Sequence, residues 1–292
     1  MRPDEEGLKR DSPRFLIPGL KTSASSLRIF ATQSHLMRAS DGKFYVVKFQ
    51  NNPFHPRVLA NEFLATRLGI WLRLPMPWSE VIEVSGWLIA HTPDLRVEIE
   101  ERRIPCASGL QLASRYLADL PEVEVFDDLP HSAFKSVANK QDWLQMLPFD
   151  KWVGNADSRQ ALFARTAKQR LFQVVFLDQG DCFNAGQWNF PDPPFMGTYH
   201  RDQVYRDVTG WNSFEPTLSR IEKLDYVDLW RFVAEIPQEW YQYDSDALCQ
   251  LVEALHRRRS LVRGLITEFR HSHCKPFPNW IAGRRSGTAT RS

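Results

Sequence analysis

Several absences bound this 292-residue chain before any motif is read. No apolar stretch approaches the roughly 20 residues of a membrane span. The start, Met1-Arg2-Pro3-Asp4-Glu5-Glu6, is too acidic and polar for a secretory signal, so a cytoplasmic protein with no membrane partner is expected. The four cysteines, Cys106, Cys182, Cys249 and Cys274, lie far apart and form no C-x-x-C pair, which fits reduced thiols rather than a disulfide framework. An excess of one charge is also missing. The 37 basic and 35 acidic residues are mixed along the chain, so neither nucleic acid nor an anionic membrane is indicated as a partner. There is no G-x-S-x-G elbow, no H-E-x-x-H and no internal repeat, which removes support for the common serine hydrolases and zinc proteases.

What the chain does have is core-forming material. With 43% apolar and 12% aromatic residues it can bury a substantial core, and its length suits about two lobes. Two carboxylates then stand out. Asp157, in Gly154-Asn155-Ala156-Asp157-Ser158-Arg159-Gln160, follows an amphipathic segment; Asp178, in Phe176-Leu177-Asp178-Gln179-Gly180, ends an apolar run at a glycine turn. Between them lies a short apolar hairpin, Ala161 to Ala164 and Leu171 to Leu177, with Ala167 to Arg170 as its basic turn. Phosphoryl transfer needs such a pair, one acid aimed at a substrate hydroxyl and one holding magnesium against nucleotide phosphates.

Phosphates also need a cation, and the cation needs an acid to orient it. Phe44-Tyr45-Val46-Val47-Lys48-Phe49 reads as a strand carrying one charge, and Glu62 lies in the helical stretch Val58 to Leu68. Lysine supplies charge to the phosphates and glutamate fixes the lysine. Lys48, Glu62, Asp157 and Asp178 fall in the order a kinase uses. Taken singly, each has a blander reading: a strand-edge lysine, a solvated helix glutamate, two turn-forming aspartates.

With these residues in place the chain resembles the HipA-like kinases, a bacterial branch of the protein-kinase-like fold. Thr32-Gln33-Ser34-His35, Val46-Val47-Lys48-Phe49, Asn61-Glu62, Gly154-Asn155-Ala156-Asp157 and Leu177-Asp178-Gln179-Gly180 carry the likeness, which covers roughly Phe15 to Arg270. It is most similar to a compact subgroup in which Asp-Gln-Gly is followed by Cys-Phe-Asn-Ala-Gly, here Cys182 to Gly186. The resemblance implies that Lys48 binds ATP phosphates, Glu62 pairs with it, Asp157 is the catalytic acid or base and Asp178 holds Mg2+. It further implies a hydroxyl acceptor, either a protein serine or threonine, the enzyme itself included, or a small molecule. The sequence departs from the family at two places. The metal-binding asparagine five residues after the catalytic aspartate is Leu162, so Gln160 or Asn155 would stand in. No G-x-G-x-x-G is present, and Gln33, Ser34 and the backbone from Ala31 to His35 would cradle phosphate instead. Leu162 keeps a second reading open, a pseudokinase acting as a nucleotide-sensing or interaction module.

The wider pattern predicts an α+β, bilobal protein-kinase-like fold. Residues 1–14 and 275–292 are expected as tails, 15–115 as a strand-rich first lobe and 116–274 as a mainly helical second lobe. Strands are expected at His35 to Ala39 and Lys43 to Phe49 around the turn Asp41-Gly42, at Ser79 to Val84, at Gly86 to Ala90 and at Ile104 to Ser114. Ala118 to Pro130 reads as a surface connection, Ser136 to Val153 as the helix delivering Asp157, and Gly186 to Trp211 as an irregular substrate loop. Apolar residues from Leu248 to Phe269 recur at helical spacing and predict one long helix, with Arg257-Arg258-Arg259 on its wet face. His271-Ser272-His273-Cys274 reads as a solvated helix end rather than a zinc site.

Overall fold

Strands dominate the first third of the computed structural model, and the reason is local. It describes residues 14–17, 33–117 and 123–281. β1 (Arg14–Ile17), β2 (His35–Ala39) and β3 (Phe44–Lys48) come first. The β2–β3 hairpin turns at Asp41-Gly42, where Gly42 adopts φ +79° and the Asp41 carboxylate accepts the Lys43 N–H at 3.0 Å. α1 (Val58–Trp71) follows, buried along nearly its whole length, and then β4 (Ser79–Val84). Gly86 to Ala90, expected as a strand, is instead the helix α2 (Gly86–His91). Ser85 caps it by accepting the Leu88 N–H on Oγ, and Trp87 stacks on His91 one turn later.

The stretch expected as one strand from Ile104 splits into two. β5 (Arg96–Ile99) and β6 (Arg102–Pro105) form a separate ribbon, while β7 (Gly109–Arg115) enters the main sheet. That sheet closes into a barrel in the order β1-β2-β3-β7-β4, with β1 parallel to β4 and the other pairs antiparallel. Alternation along β3 turns Tyr45 and Val47 into a small barrel core and leaves Val46 and Lys48 on the opposite face.

The segment read as a surface connection contains a strand, β8 (Val123–Phe126); residues 118–122 of it lie outside the description. Val-Glu-Val-Phe alternates as a strand should, and β8 pairs with β9 (Gln160–Thr166), which pairs with β10 (Gln173–Leu177). α3 (Asp142–Val153) lies between β8 and β9 and begins later than expected. Val137 bridges to Phe172, and the Asn139 amide exchanges hydrogen bonds with the Val174 backbone, so residues 137–139 extend the sheet instead.

Beyond β10, residues 186–211 carry only short 3-10 turns, in keeping with their irregular composition. α4 (Thr217–Lys223), α5 (Tyr226–Val233), α6 (Ser245–Arg258) and α7 (Val262–His271) complete the second half. The single long C-terminal helix is therefore two, and both pack on α3. Arg258 is not on a wet face: it is 4% exposed, donates to the carbonyls of Lys151 and Trp152, and pairs with Asp192 at 2.6 Å. Past α7, Phe277 is buried in the core and Trp280 packs against it, so residues 275–281, read as tail, belong to the second half; 282–292 lie outside the description, as do 1–13.

Candidate active site

A cleft between the barrel and the second half gathers side chains from β3, α1, β7, β9 and β10. Lys48 ends β3 on the cleft face, and α1 places Glu62 opposite it. The lysine Nζ lies 2.5 Å from Glu62 Oε2 and 3.0 Å from Asp178 Oδ1, with Lys48 only 7% exposed and Glu62 6%. Burial opposes the Lys48 charge, but Asp178 and Glu62 outweigh it and raise its pKa above the ordinary lysine value. Lys48 and hydrogen bonds in turn overcome burial at Asp178 and lower its pKa, whereas burial dominates at Glu62 and raises it.

Asp178 sits in the left-handed region at φ +54°, a conformation costing about 1 kcal/mol or more for a non-glycine residue, so its surroundings must fix it. Arg159 does much of this. Its guanidinium, from the loop after Asp157, donates to Leu177 O at 2.9 Å, Gln179 Oε1 at 2.7 Å and Asp178 O at 3.3 Å, and forms a fully buried ion pair with Asp150 of α3. From the other side, Asn61 Nδ2 reaches the carbonyls of Gly180, Cys182 and Ala185 at 2.7–2.9 Å, and its Oδ1 accepts the Trp188 indole N–H. At Gly180 a Cβ would approach Val58 Cγ2 to 2.8 Å, so α1 can lie this close only over glycine.

The loop bearing Asp157 starts where α3 stops. Gly154 caps α3 at φ +57° with its N–H on Asp150 O, and a Cβ there would strike the Phe190 ring. Asp157 is exposed; its Oδ1 accepts the Ser158 N–H at 2.7 Å, and the Ala156 N–H donates to Asp181 O at 2.9 Å, tying the two acidic segments together.

Not every residue singled out in the sequence reaches the cleft. Ser34, Lys48, Glu62, Asp178 and Gln160 line it. Gln160 faces Leu177 in the β9–β10 register, one residue from Asp178. Leu162, on the same face of β9, adds to the apolar wall with Val46 and Phe176. Asn155 is 1% exposed, with its amide on Asp150 and on the Asp157 N–H, so it orders the loop. Gln33 binds the backbone of Glu98 with both ends of its amide, which anchors the β5–β6 ribbon to the segment before β2; Ala31 and Thr32 lie outside the described residues.

Asp181 was missed by sequence reading, although it directly follows Asp178-Gln179-Gly180. Burial, then the charges of Asp178 and Asp157, push its pKa up to about 6. The folded protein thus takes this proton more readily than the unfolded chain. The contribution favours folding below the ordinary carboxylate range and is lost as pH rises through about 6. Asp181→Asn is expected to raise Tm by about 3 °C at pH 8 and to leave it unchanged at pH 4. Thermal unfolding at the two pH values checks this, and equal shifts at both would contradict it.

Among the described residues no group of three or more His, Cys, Asp or Glu can hold a metal by itself, the His271–Cys274 segment included, and no helix is long and apolar enough to cross a membrane. A lysine bridging two acids beneath a partly apolar cleft, with an acid-bearing loop alongside, is the arrangement of a kinase-like fold. The HipA-like kinase family model matches residues 27–271, and the chain belongs to that family of phosphotransferases. HipA of Shewanella oneidensis MR-1, solved with HipB and operator DNA, superimposes with TM-score 0.51 at 12% identity, covering 92% of this chain and 76% of HipA. The Helicobacter pylori proinflammatory kinase CtkA gives 0.47 at 14%, covering 82% and 92%, and a hydra Fam20 gives 0.48 at 14%, covering 81% of each. No curated protein matches the sequence significantly.

Proposed function

We propose that the protein transfers the γ-phosphoryl group of ATP, with Mg2+, to the hydroxyl of a protein serine or threonine. The observation that carries this reading is Lys48 held between Glu62 and Asp178. The donor set suits magnesium: hard oxygens only, from Asp178 and from the Gln160 amide, which has no hydrogen-bond partner among the described residues, with Asp181 close by. Fewer than three protein carboxylates is no obstacle, since magnesium is usually held by one or two together with phosphates and water. Bound there, the ion would offset charge on the phosphates.

Lys48 supplies fixed positive charge to the phosphates, and Glu62 keeps its ammonium in place as the nucleotide draws on it. The apolar wall of Val46, Leu162 and Phe176 takes the base and excludes water. Asp157, exposed on the loop that Ala156 ties to Asp181, accepts the proton of the acceptor hydroxyl as its oxygen bonds to phosphorus and ADP departs. Leu162 is accounted for as part of the base wall, with Gln160 supplying the amide on the metal side.

ATP with magnesium is expected to raise the Tm of the wild type by about 5 °C, chelation to remove most of that shift, and Lys48→Met to abolish it. Fluorimetric melting reads all three. A shift that ignores chelation would overturn the Asp178 metal assignment and favour a non-catalytic nucleotide sensor.

A further inference from the structure

A second cavity lies wholly within the second half of the molecule. About 470 Å³ in volume, it opens where the 3-10 turn His131–Ser136, the start of α3 and the 3-10 turn Asp202–Tyr205 meet. Phe134, Trp143, Leu144 and Val204 line its apolar side. Among the described side chains the lining also holds the exposed Lys135, Lys140 and Arg206 against one acid, Asp207. An adjoining hollow of about 420 Å³ shares His131, Gln203 and Arg206 and adds Arg201. Two of these cations are already matched, Lys140 by Asp207 at 3.5 Å and Arg201 by Asp128. Lys135 and Arg206 have no side-chain partner among the described residues.

Two side chains of the lining carry buried donors without acceptors among the described residues. Trp143 is 1% exposed, yet its indole Nε1–H is unpaired, and the Gln203 amide Nε2 is buried and unpaired too. Leaving a buried donor orphaned is costly, and two on side chains that line one hollow, beside two exposed cations unmatched among the described residues, point to a common ligand.

We propose that this cavity binds a phosphomonoester dianion. The site offers N–H donors and positive charge, which demands an acceptor-only ligand. Phosphate brings three strongly accepting oxygens and nearly two negative charges, enough to serve the indole, the amide, Lys135 and Arg206 together, where a carboxylate has only two oxygens. The group is carried either by a phosphorylated protein side chain or by a free phosphate ester. The site does not depend on the kinase reading of the cleft, since it shares none of the cleft's residues.

The test is a titration of the 15N-labelled full chain with inorganic phosphate and, separately, with a phosphoserine peptide, under saturating magnesium and a non-hydrolysable ATP analogue, following indole N–H resonances. The Trp143 signal, identified as the one missing in Trp143→Phe, moves downfield and saturates. Lys135→Ala with Arg206→Ala weakens binding about tenfold or more, while Asp178→Asn leaves the titration unchanged. Should Trp143→Phe fail to fold, the signal is identified as the one whose response the Lys135/Arg206 variant weakens. Tighter binding of the peptide assigns the site to a phosphorylated protein segment, and equal affinities assign it to a free phosphate or small ester. No saturable indole shift with either probe, or one that the double variant does not weaken, overturns the proposal.

Discussion

Asp157→Asn is expected to lower phosphoryl transfer by about 10²–10⁴-fold while leaving Tm within a degree or so of the wild type. The two halves of that expectation come from different features. Asp157 is exposed and its carboxylate accepts only from Ser158, so an amide of the same shape loses little folding energy. The same change removes the only group on that loop able to take a hydroxyl proton. Nucleotide affinity should be nearly unaffected, because Lys48, Glu62 and Asp178 stay in place. A steady-state assay beside a melting curve separates the outcomes: an inactive but unfolded variant would give Asp157 a structural role, and an active one would remove it from the chemistry.

Arg159→Met should do the reverse, destabilising the whole protein by about 3–5 kcal/mol. Arg159 and Asp150 are both almost fully buried, so methionine leaves a carboxylate in the interior with only the Asn155 amide, at 3.3 Å, to answer it. The guanidinium also holds Leu177, Asp178 and Gln179, so the turn that carries Asp178 is expected to loosen as stability falls. Asp150→Asn with Arg159→Met should recover part of the loss, because the unmatched charge goes with the pair. Denaturant unfolding measures both variants. A single Arg159→Met change costing under about 1 kcal/mol would show that the pair does not hold the site together.

The site could be read from the sequence where chemistry and periodicity coincide. Lys48 stood out as the lone charge in a β-branched run, and alternation alone puts it on the face opposite Tyr45 and Val47. Asp178 stood at the end of an apolar strand, before a glycine that close packing against α1 requires. Partners are another matter, because a buried polar side chain declares its type but not what it faces. Asn61, Asp150, Arg159 and Arg258 tie the site together across long sequence separations, and nothing local marks them; Arg258 even sat in a basic run that imitated a wet helix face. Gln33 and Asn155 had suitable chemistry for phosphate and metal, but the Glu98 backbone claims the first amide, and the Asp150 carboxylate and Asp157 N–H claim the second.

Errors in the elements have similarly local causes. Gly86 to Ala90 is apolar and short enough for a strand, but the Ser85 hydroxyl, accepting the Leu88 N–H, and the Trp87–His91 stack favour a helix. Helical spacing runs on from Leu248 to Phe269, but the chain turns at Arg259–Leu261, where Arg259 reaches the carbonyl of Leu224 and each helix brings its own apolar face onto α3. Prolines and acids between Ala118 and Pro130 hid the Val-Glu-Val-Phe alternation of β8, which pairing to β9 stabilises.

Intact-mass spectrometry of the wild type and Asp157→Asn after incubation with ATP and magnesium, with ADP quantified in the same samples, is the decisive measurement. ATP is expected to turn over in the wild type, with phosphoryl groups added to the chain or to a supplied protein acceptor, and both signals are expected to vanish in the variant. ATP left intact by a folded, nucleotide-binding wild type, or turnover undiminished in Asp157→Asn, would contradict the kinase mechanism assigned to this cleft.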